Sequence, residues 1–593
     1  MRRGQRCDKQ GIGWKYQMEN NMCCRAYFAL ALALSLIASL ATAQTVLPSL
    51  RRPSEQTLPL PEYQPAPPPV TAPPSALPAP PPSAAPTFPD ERILVRRFAI
   101  SGNTAFSTAE LAQITAPYEN RSLSAEELQE VRQQLTLYYI ERGYLNSGAI
   151  LPEQDLRDGI VRIEIVEGRL IGIEVDGNTG LRREVIEARL APLLSGPLQL
   201  QRVQEYMQLL QQNPLIKQLQ VEIAPAPRPG QAILRVVVRE ETPYQAVLNL
   251  DNDSPPSVGG NQAQLYLAHL NVSGWGDSLG IRTALTEASD EYVLVYQRPL
   301  NAAGTTLLSL TADVSDSEVI EAPFDALDIE SEQISYALGL TQILHQTSRR
   351  ALSTGLTLER RHNETTLLGE PFSFSPGAED GKSTVAVARF FQQWIERDVN
   401  EVMAARSTFS FGFDGWGSTV HHDAPDSQFL AWLGQFQWAR RFGERGNQLL
   451  FRTDMQFSDS ALLPMEKFAV GGADTVRGYR KNALVRDNAI VASLESRFPL
   501  FRLPLPGVSK ADDEGMVQLA LFGDYGRSWN KSEIDVGPED IYSVGLGLRW
   551  DPSPAIHAQV YYGKALRELE QREDDLQDRG ITFQVQVAYP FLR

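Results

Sequence analysis

Beyond Cys24 this sequence contains no cysteine, the other two being Cys7 and Cys23. That excludes a disulfide framework and any thiolate metal centre from most of the chain. Histidine is almost as scarce: its one cluster, His421-His422-Asp423, falls in a loop with no further ligand nearby, so no metal centre is expected. Positive charge is in deficit, with 55 Lys and Arg against 72 Asp and Glu for a formal charge of -17. A nucleic-acid partner, which needs a basic surface, is therefore not expected. No Gly-rich phosphate loop and no nucleophile–base constellation stands out, so no catalytic residue and no cofactor is assigned. After residue 43 there is also no apolar run long enough for a membrane-spanning helix. This leaves an exported soluble protein or a membrane β-barrel, whose alternating strands have unremarkable average hydropathy.

What is present starts with an export signal. Arg25 precedes an apolar run from Ala26 to Leu40, and Ala41-Thr42-Ala43 has the small residues of a cleavage site. Residues 1–43 thus read as a signal peptide; an uncleaved N-terminal anchor is the alternative. The long stretch before Arg25 points to Met18 or Met22 as the natural start. Cleavage removes every cysteine, together with six basic and two acidic residues, and makes the chain more negative still. A thiol-free chain crossing an oxidising periplasm forms no disulfide, right or wrong. Residues 44–91 carry fifteen prolines between Pro53 and Pro89 and read as an extended, semi-rigid linker.

Residues 92–168 and 169–241 repeat one pattern. The first has a strand from Ile93 to Ile100 closed by Ser101-Gly102-Asn103, and a helix from about Thr108. A second helix, Ser124 to Arg142, has a capping box in Ser124 and Glu127, an apolar stripe of Leu128, Val131, Leu135 and Tyr138, and a stop at Gly143. Strands at 149–151 and 159–168 follow. The second copy has a strand from Leu170 to Val175 closed by Asp176-Gly177-Asn178, helices near 182–193 and 200–212, and strands at 218–224 and 231–239. A repeat of about 75 residues signals two copies of one small α+β domain. The chain here resembles the polypeptide-transport-associated (POTRA) domain, and GYLNSGAILPEQDLRDGIVRIEIVEG, residues 143–168, resembles its variant in two-partner secretion transporters.

From residue 242 onward the texture is that of short alternating strands separated by Gly, Asn, Asp, Ser and Pro. Sixteen are expected, near 244–252, 261–270, 277–287, 291–298, 304–314, 332–343, 350–360, 383–395, 401–413, 427–439, 447–457, 488–499, 515–525, 540–550, 555–564 and 580–589. An even count suits a closed antiparallel barrel. In 540–550, Tyr542, Val544, Leu546, Leu548 and Trp550 share one face and Ser543, Gly545, Gly547 and Arg549 the other. In 555–564, Ile556, Ala558, Val560 and Tyr562 oppose His557, Gln559 and Tyr561; in the last strand Phe583, Val585, Val587 and Tyr589 oppose Thr582, Gln584, Gln586 and Ala588. A soluble sandwich has the same period. Strand length near the 9–11 residues that cross a bilayer, with aromatics near strand ends, favours the barrel in lipid.

The loop between the eleventh and twelfth strands contains FAVGGADTVRGYRKN, Phe468 to Asn482. Its core is Val476-Arg477-Gly478-Tyr479, a permanently charged fork on a flexible hinge between an aliphatic and an aromatic side chain. In the strand at 515–525, parity points Asp524 inward, and in the strand after the loop it points Glu495 and Arg497 inward. A carboxylate in a restricted lumen gains from an arginine, so Arg477 is expected to pair with Asp524; separate solvation in a wide pore is the alternative. Taken together, these features resemble the outer-membrane transporters of two-partner secretion, the ShlB/FhaC/HecB hemolysin secretion/activation family. The resemblance implies a mainly β fold, a 16-stranded antiparallel transmembrane barrel behind two POTRA domains. It implies a loop reaching into the barrel, with Val476, Arg477, Gly478 and Tyr479 matching its motif and Asp524 the wall motif. It also implies export of a large secreted β-rich exoprotein from periplasm to cell surface. The partners implied are that exoprotein, outer-membrane lipid and, during biogenesis, the barrel-assembly machinery, around a monomer. Family members usually carry a plug helix before the linker, but residues 44–52 are short and broken by Pro48; the aromatic that insertion machinery reads also falls early, in Tyr589-Pro590-Phe591-Leu592-Arg593. An insertase of the related barrel-assembly family, a passive porin and an exported enzyme are the competing functions.

Overall fold

The computed structural model describes Arg52, Leu58, Tyr63 and residues 92–589, apart from Leu145, 512–513, 533–534 and 570–574. The expected signal peptide, most of the expected linker, including the Pro48 segment where a plug helix was not expected, and the C-terminal residues after Tyr589 lie outside the described residues.

The first soluble unit buries one face of the helix Ala125–Glu141, through Leu128, Val131, Leu135 and Tyr139, on a three-stranded sheet. Ser124 and Glu127 form the capping box. The expected strand from Ile93 to Ile100 is two strands. Ile93–Val95 pairs with Arg121–Leu123, while Arg97–Ser101 runs parallel to Ile160–Val166. The break falls at Arg96, whose N–H donates to Gly159 O (2.7 Å), so the chain changes partner there. The second unit packs the helices Arg183–Leu190 and Leu200–Gln211 on Arg169–Asp176, Gln231–Glu240 and Ile216–Pro225. The helix expected to reach residue 193 ends in a short 3-10 turn at Ala191–Leu194, where Pro192 has no N–H to continue it.

The repeat extends to single hydrogen bonds. A Cβ on Gly102 would lie 2.3 Å from Ile165 O, and one on Gly177 2.4 Å from Val238 O, so both turns need glycine. The Asn103 amide donates to Phe106 O and the Asn178 amide to Leu181 O, each at 2.9 Å. A carboxylate from the last strand region caps each turn: Glu167 accepts from Thr104 N (2.6 Å) and Ala105 N (2.7 Å), and Glu240 from Gly180 N (2.8 Å) and Leu181 N (2.9 Å). Burial pushes the Glu167 carboxyl up, but the donors of Ala105, Thr104 and Tyr139 outweigh it and hold its pKa below the ordinary glutamate value.

Residues 244–589 close into a barrel of sixteen antiparallel strands, plus a two-residue hairpin arm at Glu370–Pro371. Each expected strand is present. Ile329–Gln346 and Arg350–Leu367 are longer than expected at 18 residues each, because their ladder continues beyond the alternating core of the pattern. The ring closes where Gln584–Tyr589 pairs with Asp251–Ala246, over six residue pairs. Apolar side chains look outward: Tyr542, Val544, Leu546 and Leu548 are 39–49% exposed, while Ser543 on the opposite face is 2% exposed. A sandwich core would show the reverse. A row of open leucine, valine and tyrosine around a closed sheet with a polar interior is the surface that lipid requires.

The second unit rests against the turns at one end of the barrel. Arg182 N–H donates to Gly274 O (2.9 Å), Leu270 and Trp275 pack on its core, and Gln212 Nε2 donates to Ser348 O (3.3 Å). The loop 459–487 leaves the barrel from the opposite end.

Candidate functional site: the loop inside the barrel

The strands Asn447–Ser458 and Asn488–Arg502 are neighbours in the wall, so their connection needs only a few residues; it has 29, and they fold inward. Within it Phe468–Val470 and Leu484–Arg486 form a small hairpin that alternation alone did not reveal. Phe468, Val470, Val476, Tyr479 and Leu484 pack with wall residues Leu433, Ala489, Val491 and Ile541 in one buried cluster. An apolar patch on the inner wall thus seats the loop, and the polar groups then orient it.

Arg477 uses every face of its guanidinium. Its backbone N–H and its Nε donate to Asp524 Oδ2 at 3.0 and 2.9 Å, and Nη2 donates to Asp524 Oδ1 at 2.9 Å. Nη1 donates to Glu495, and Nη2 also reaches Ser493 Oγ (3.1 Å), whose hydroxyl donates to Asp524 Oδ1 (2.6 Å). Arg497 Nε (2.6 Å) and the Tyr561 hydroxyl (3.1 Å) donate to Glu495 Oε1. The guanidinium carbon lies 3.6 Å from the centre of the Phe522 ring and 5.0 Å from that of Tyr561. Arg477, Asp524 and Glu495 are 8%, 4% and 6% exposed, so water screens these contacts little. Two arginines face two carboxylates, and the cluster is electrically balanced. Its geometry, a bidentate fork over an aromatic plane, cannot be reproduced by lysine.

The neighbours of Arg477 explain the rest of the motif. A Cβ on Gly478 would lie 2.7 Å from Gly563 O, and one on Gly563 2.7 Å from Gly478 N, so loop and wall meet backbone to backbone. Val476 packs where a Cβ on Gly526 would be 2.8 Å from its Cγ2. The Tyr479 hydroxyl lies 3.0 and 2.9 Å from the carbonyl oxygens of Tyr542 and Arg567 and accepts the Arg567 N–H at 3.1 Å.

The structure therefore brings Val476, Arg477, Gly478, Tyr479, Asp524, Glu495 and Arg497 into one site. Sequence reasoning missed four participants: Ser493, Phe522 and Tyr561, which parity does place on the inner face, and Gly563, for which only its lack of a side chain was a signal. It also missed a second ionic cluster. Glu466, 2% exposed, accepts two bonds from Arg389 Nη2 at 2.7 and 2.9 Å. Arg389 Nε reaches Glu359 (2.9 Å), which also accepts from Arg361 (3.0 Å). This cluster pins the first limb of the loop to the strands Arg350–Leu367 and Lys382–Arg397. At the tip, Arg480 binds Glu321 (2.7 Å) and Asp578, and Lys481 binds Asp253 (2.7 Å). Lys481 N–H donates to Gln577 (2.8 Å), whose amide donates to Asn252 O (2.7 Å) and Ser254 O (2.6 Å). Of the linker, Leu58 O accepts from Gln437 Nε2, and the Tyr63 ring centre lies 3.8 Å from the Arg441 guanidinium. Both partners belong to the strand Leu430–Phe442. His421 joins two loops through Gly377 O (3.0 Å), and among the described residues no group of His, Cys, Asp and Glu is placed to hold a metal.

A lipid-facing barrel with a folded loop in its lumen and POTRA-like units at one end defines a POTRA–barrel protein of the outer membrane. Comparison with known proteins agrees. Residues 230–550 match the family described as haemolysin secretion/activation protein ShlB/FhaC/HecB, and residues 93–168 match the ShlB-type POTRA domain. The chain belongs to that ShlB/FhaC/HecB family of outer-membrane protein transporters. It is 29% identical over 483 residues to the outer membrane transporter CdiB of Dickeya dadantii, covering 77% of this chain and 80% of that one. It is 22% identical over 490 residues to the heme/hemopexin transporter protein HuxB of Haemophilus influenzae, covering 78% and 82%. The solved structure of CdiB from Escherichia coli shares the fold, with a TM-score of 0.63, 22% identity, and coverage of 86% of this chain and 92% of that one. The barrel lies in the outer membrane, with the POTRA region in the periplasm.

Proposed function

We propose that this protein recognises a large, partly unfolded, β-rich exoprotein in the periplasm and passes it through the barrel to the cell surface without ATP. The three-stranded sheets of the two soluble units leave edge strands, Arg97–Ser101 and Gly148–Ile150 in one and Arg169–Asp176 and Ile216–Pro225 in the other. An extended substrate can add to such an edge by backbone hydrogen bonds, which tolerate many sequences. Folding outside the cell then makes passage one-way, since a native domain is favoured by about 5–15 kcal/mol. The observation that carries the reading is the loop itself: a plug seated by buried, balanced charges can be moved and reseated without unfolding the wall. Val476, Arg477, Gly478 and Tyr479 are the seating motif, Asp524 its partner, and Glu495 and Arg497 its charge balance.

The test is Arg477→Ala. The variant is expected to insert as a barrel and to lose secretion of its exoprotein substrate. Normal secretion by the variant would refute the role. Deletion of the gene separates the reading from an insertase: a general loss of outer-membrane proteins would favour the insertase, and loss of one exoprotein supports the transporter.

A further inference from the structure

The loop packs unevenly on the lumen wall. It is pinned at Glu466 to Arg389 and at Arg477 to Asp524, and between these anchors it covers the strands Leu430–Phe442 and Asn447–Ser458. The inward-facing Leu433, Gln435, Asp454 and Gln456 are all buried beneath it. Gln456 Nε2 donates to two loop carbonyls, Glu466 O (2.9 Å) and Asp487 O (3.1 Å). Leu58 and Tyr63 lie against the same side, on Gln437 and Arg441. This side also holds the charge clusters of Glu359, Arg389, Glu495 and Asp524.

The wall formed by Ile581–Tyr589, Tyr244–Asp251 and Gln262–His269 is different. Its inward parity carries Gln584, Gln586, Gln245, Asn249, Gln262 and Gln264, all half-buried rather than covered. These amides form a band in two hydrogen-bonded groups: Gln559 donates to Gln584 (2.6 Å), and Gln264 donates to Gln262 (2.7 Å) and Asp251 (3.3 Å), with Asn249 also donating to Asp251.

We propose that this amide band is the binding track for the translocating chain, an extended polypeptide bound through its backbone. Carboxamide side chains both donate and accept, as the peptide group does, so they can exchange bonds with the backbone of any sequence. The side pinned by Glu466 and Arg477 and lined by Leu58 and Tyr63 is kept out of the path, while the loop's tip, held by Lys481 to Asp253, crosses the mouth of the track and must lift before a chain can leave. This placement rests on the transport function proposed above and specifies where in the lumen it is carried out.

The absence of cysteine after Cys24 gives a clean test. Gln264→Cys, Gln584→Cys and, behind the loop, Leu433→Cys are each modified with a thiol-linked photoreactive group in intact outer membranes. The probe is the exoprotein whose secretion depends on this protein, stalled by a tightly folded domain fused to its C-terminus. Covalent adducts are expected at positions 264 and 584 and absent at 433. Adducts concentrated at 433, or equal at all three, would overturn the track. Secretion of the unfused exoprotein, measured in the same cells for the unsubstituted protein, keeps the two ideas apart: no export there sinks the transport function, whereas normal export with adducts elsewhere sinks only the path. As a second reading, Gln264→Glu with Gln584→Glu places two carboxylates on the band and is expected to lower export while heat-modifiable barrel migration is unchanged. Undiminished export by that variant also counts against the track.

Discussion

Replacing Asp524 with asparagine tests the electrostatic seat of the loop with almost no change of shape. Asp524 accepts three bonds from Arg477 and one from Ser493, all inside a cluster whose two arginines and two carboxylates cancel. Asparagine removes one negative charge and turns one acceptor into a donor facing Arg477. Breaking a buried ion pair in this way costs about 3–5 kcal/mol, because the remaining charge stays buried without compensation. At 1.4 kcal/mol per factor of ten, the ratio of seated to unseated loop falls roughly a hundred- to a few-thousand-fold. The barrel ladder does not depend on this side chain, so the cost appears as loop release rather than unfolding. The assay is protease cleavage within residues 473–482 on intact cells, read beside semi-native gel migration of the barrel. Cleavage is expected to rise sharply in Asp524→Asn and to return toward the original level in a variant that also carries Arg477→Gln, where no lone charge is left. A protected loop in Asp524→Asn, or no recovery in the double variant, would show that charge compensation is not what seats it.

Three further outcomes follow from the same geometry. Gly478→Ala places a Cβ 2.7 Å from Gly563 O, and overpacking of this kind costs about 1–3 kcal/mol, so single-channel conductance in planar bilayers should rise although every charge is intact. Glu466→Gln leaves Arg361 and Arg389 facing Glu359 alone; with a cost on the order of 3 kcal/mol, the first limb of the loop should become cleavable near Met465 while the Arg477 seat persists. Glu167 has a folded pKa below its ordinary value of 4.5, so its contribution is complete above that value and is lost as pH falls through the lower folded value. Pepsin digestion of the first unit in the whole protein should therefore accelerate across that acid range, and Glu167→Gln should remove the pH dependence.

The alternation of side chains carried most of the barrel into view, because parity alone tells which face of a strand meets lipid. It placed Asp524, Glu495 and Arg497 on the inner face, and the turn glycines and capping residues marked the soluble repeats. What parity does not give is height along the barrel axis. Glu359, Arg361 and Arg389 also face inward by parity, but their meeting with Glu466 depends on the registers of many intervening strands. Nor does a loop of 29 residues declare its own hairpin when Phe468–Val470 and Leu484–Arg486 are only three residues each. The break at Arg96 was hidden for a related reason: both pieces of that strand are apolar and extended, and only tertiary partners distinguish them.

The tip of the loop has one more consequence. Lys481 reaches Asp253, just past the first strand, and its backbone holds Gln577, which in turn grips Asn252 and Ser254. The stopper is thereby laced to the hem of the cylinder at the join made by only six residue pairs. Drawing the stopper out would unpick those stitches and leave the cylinder's mouth held, along that edge, by its sparsest seam alone.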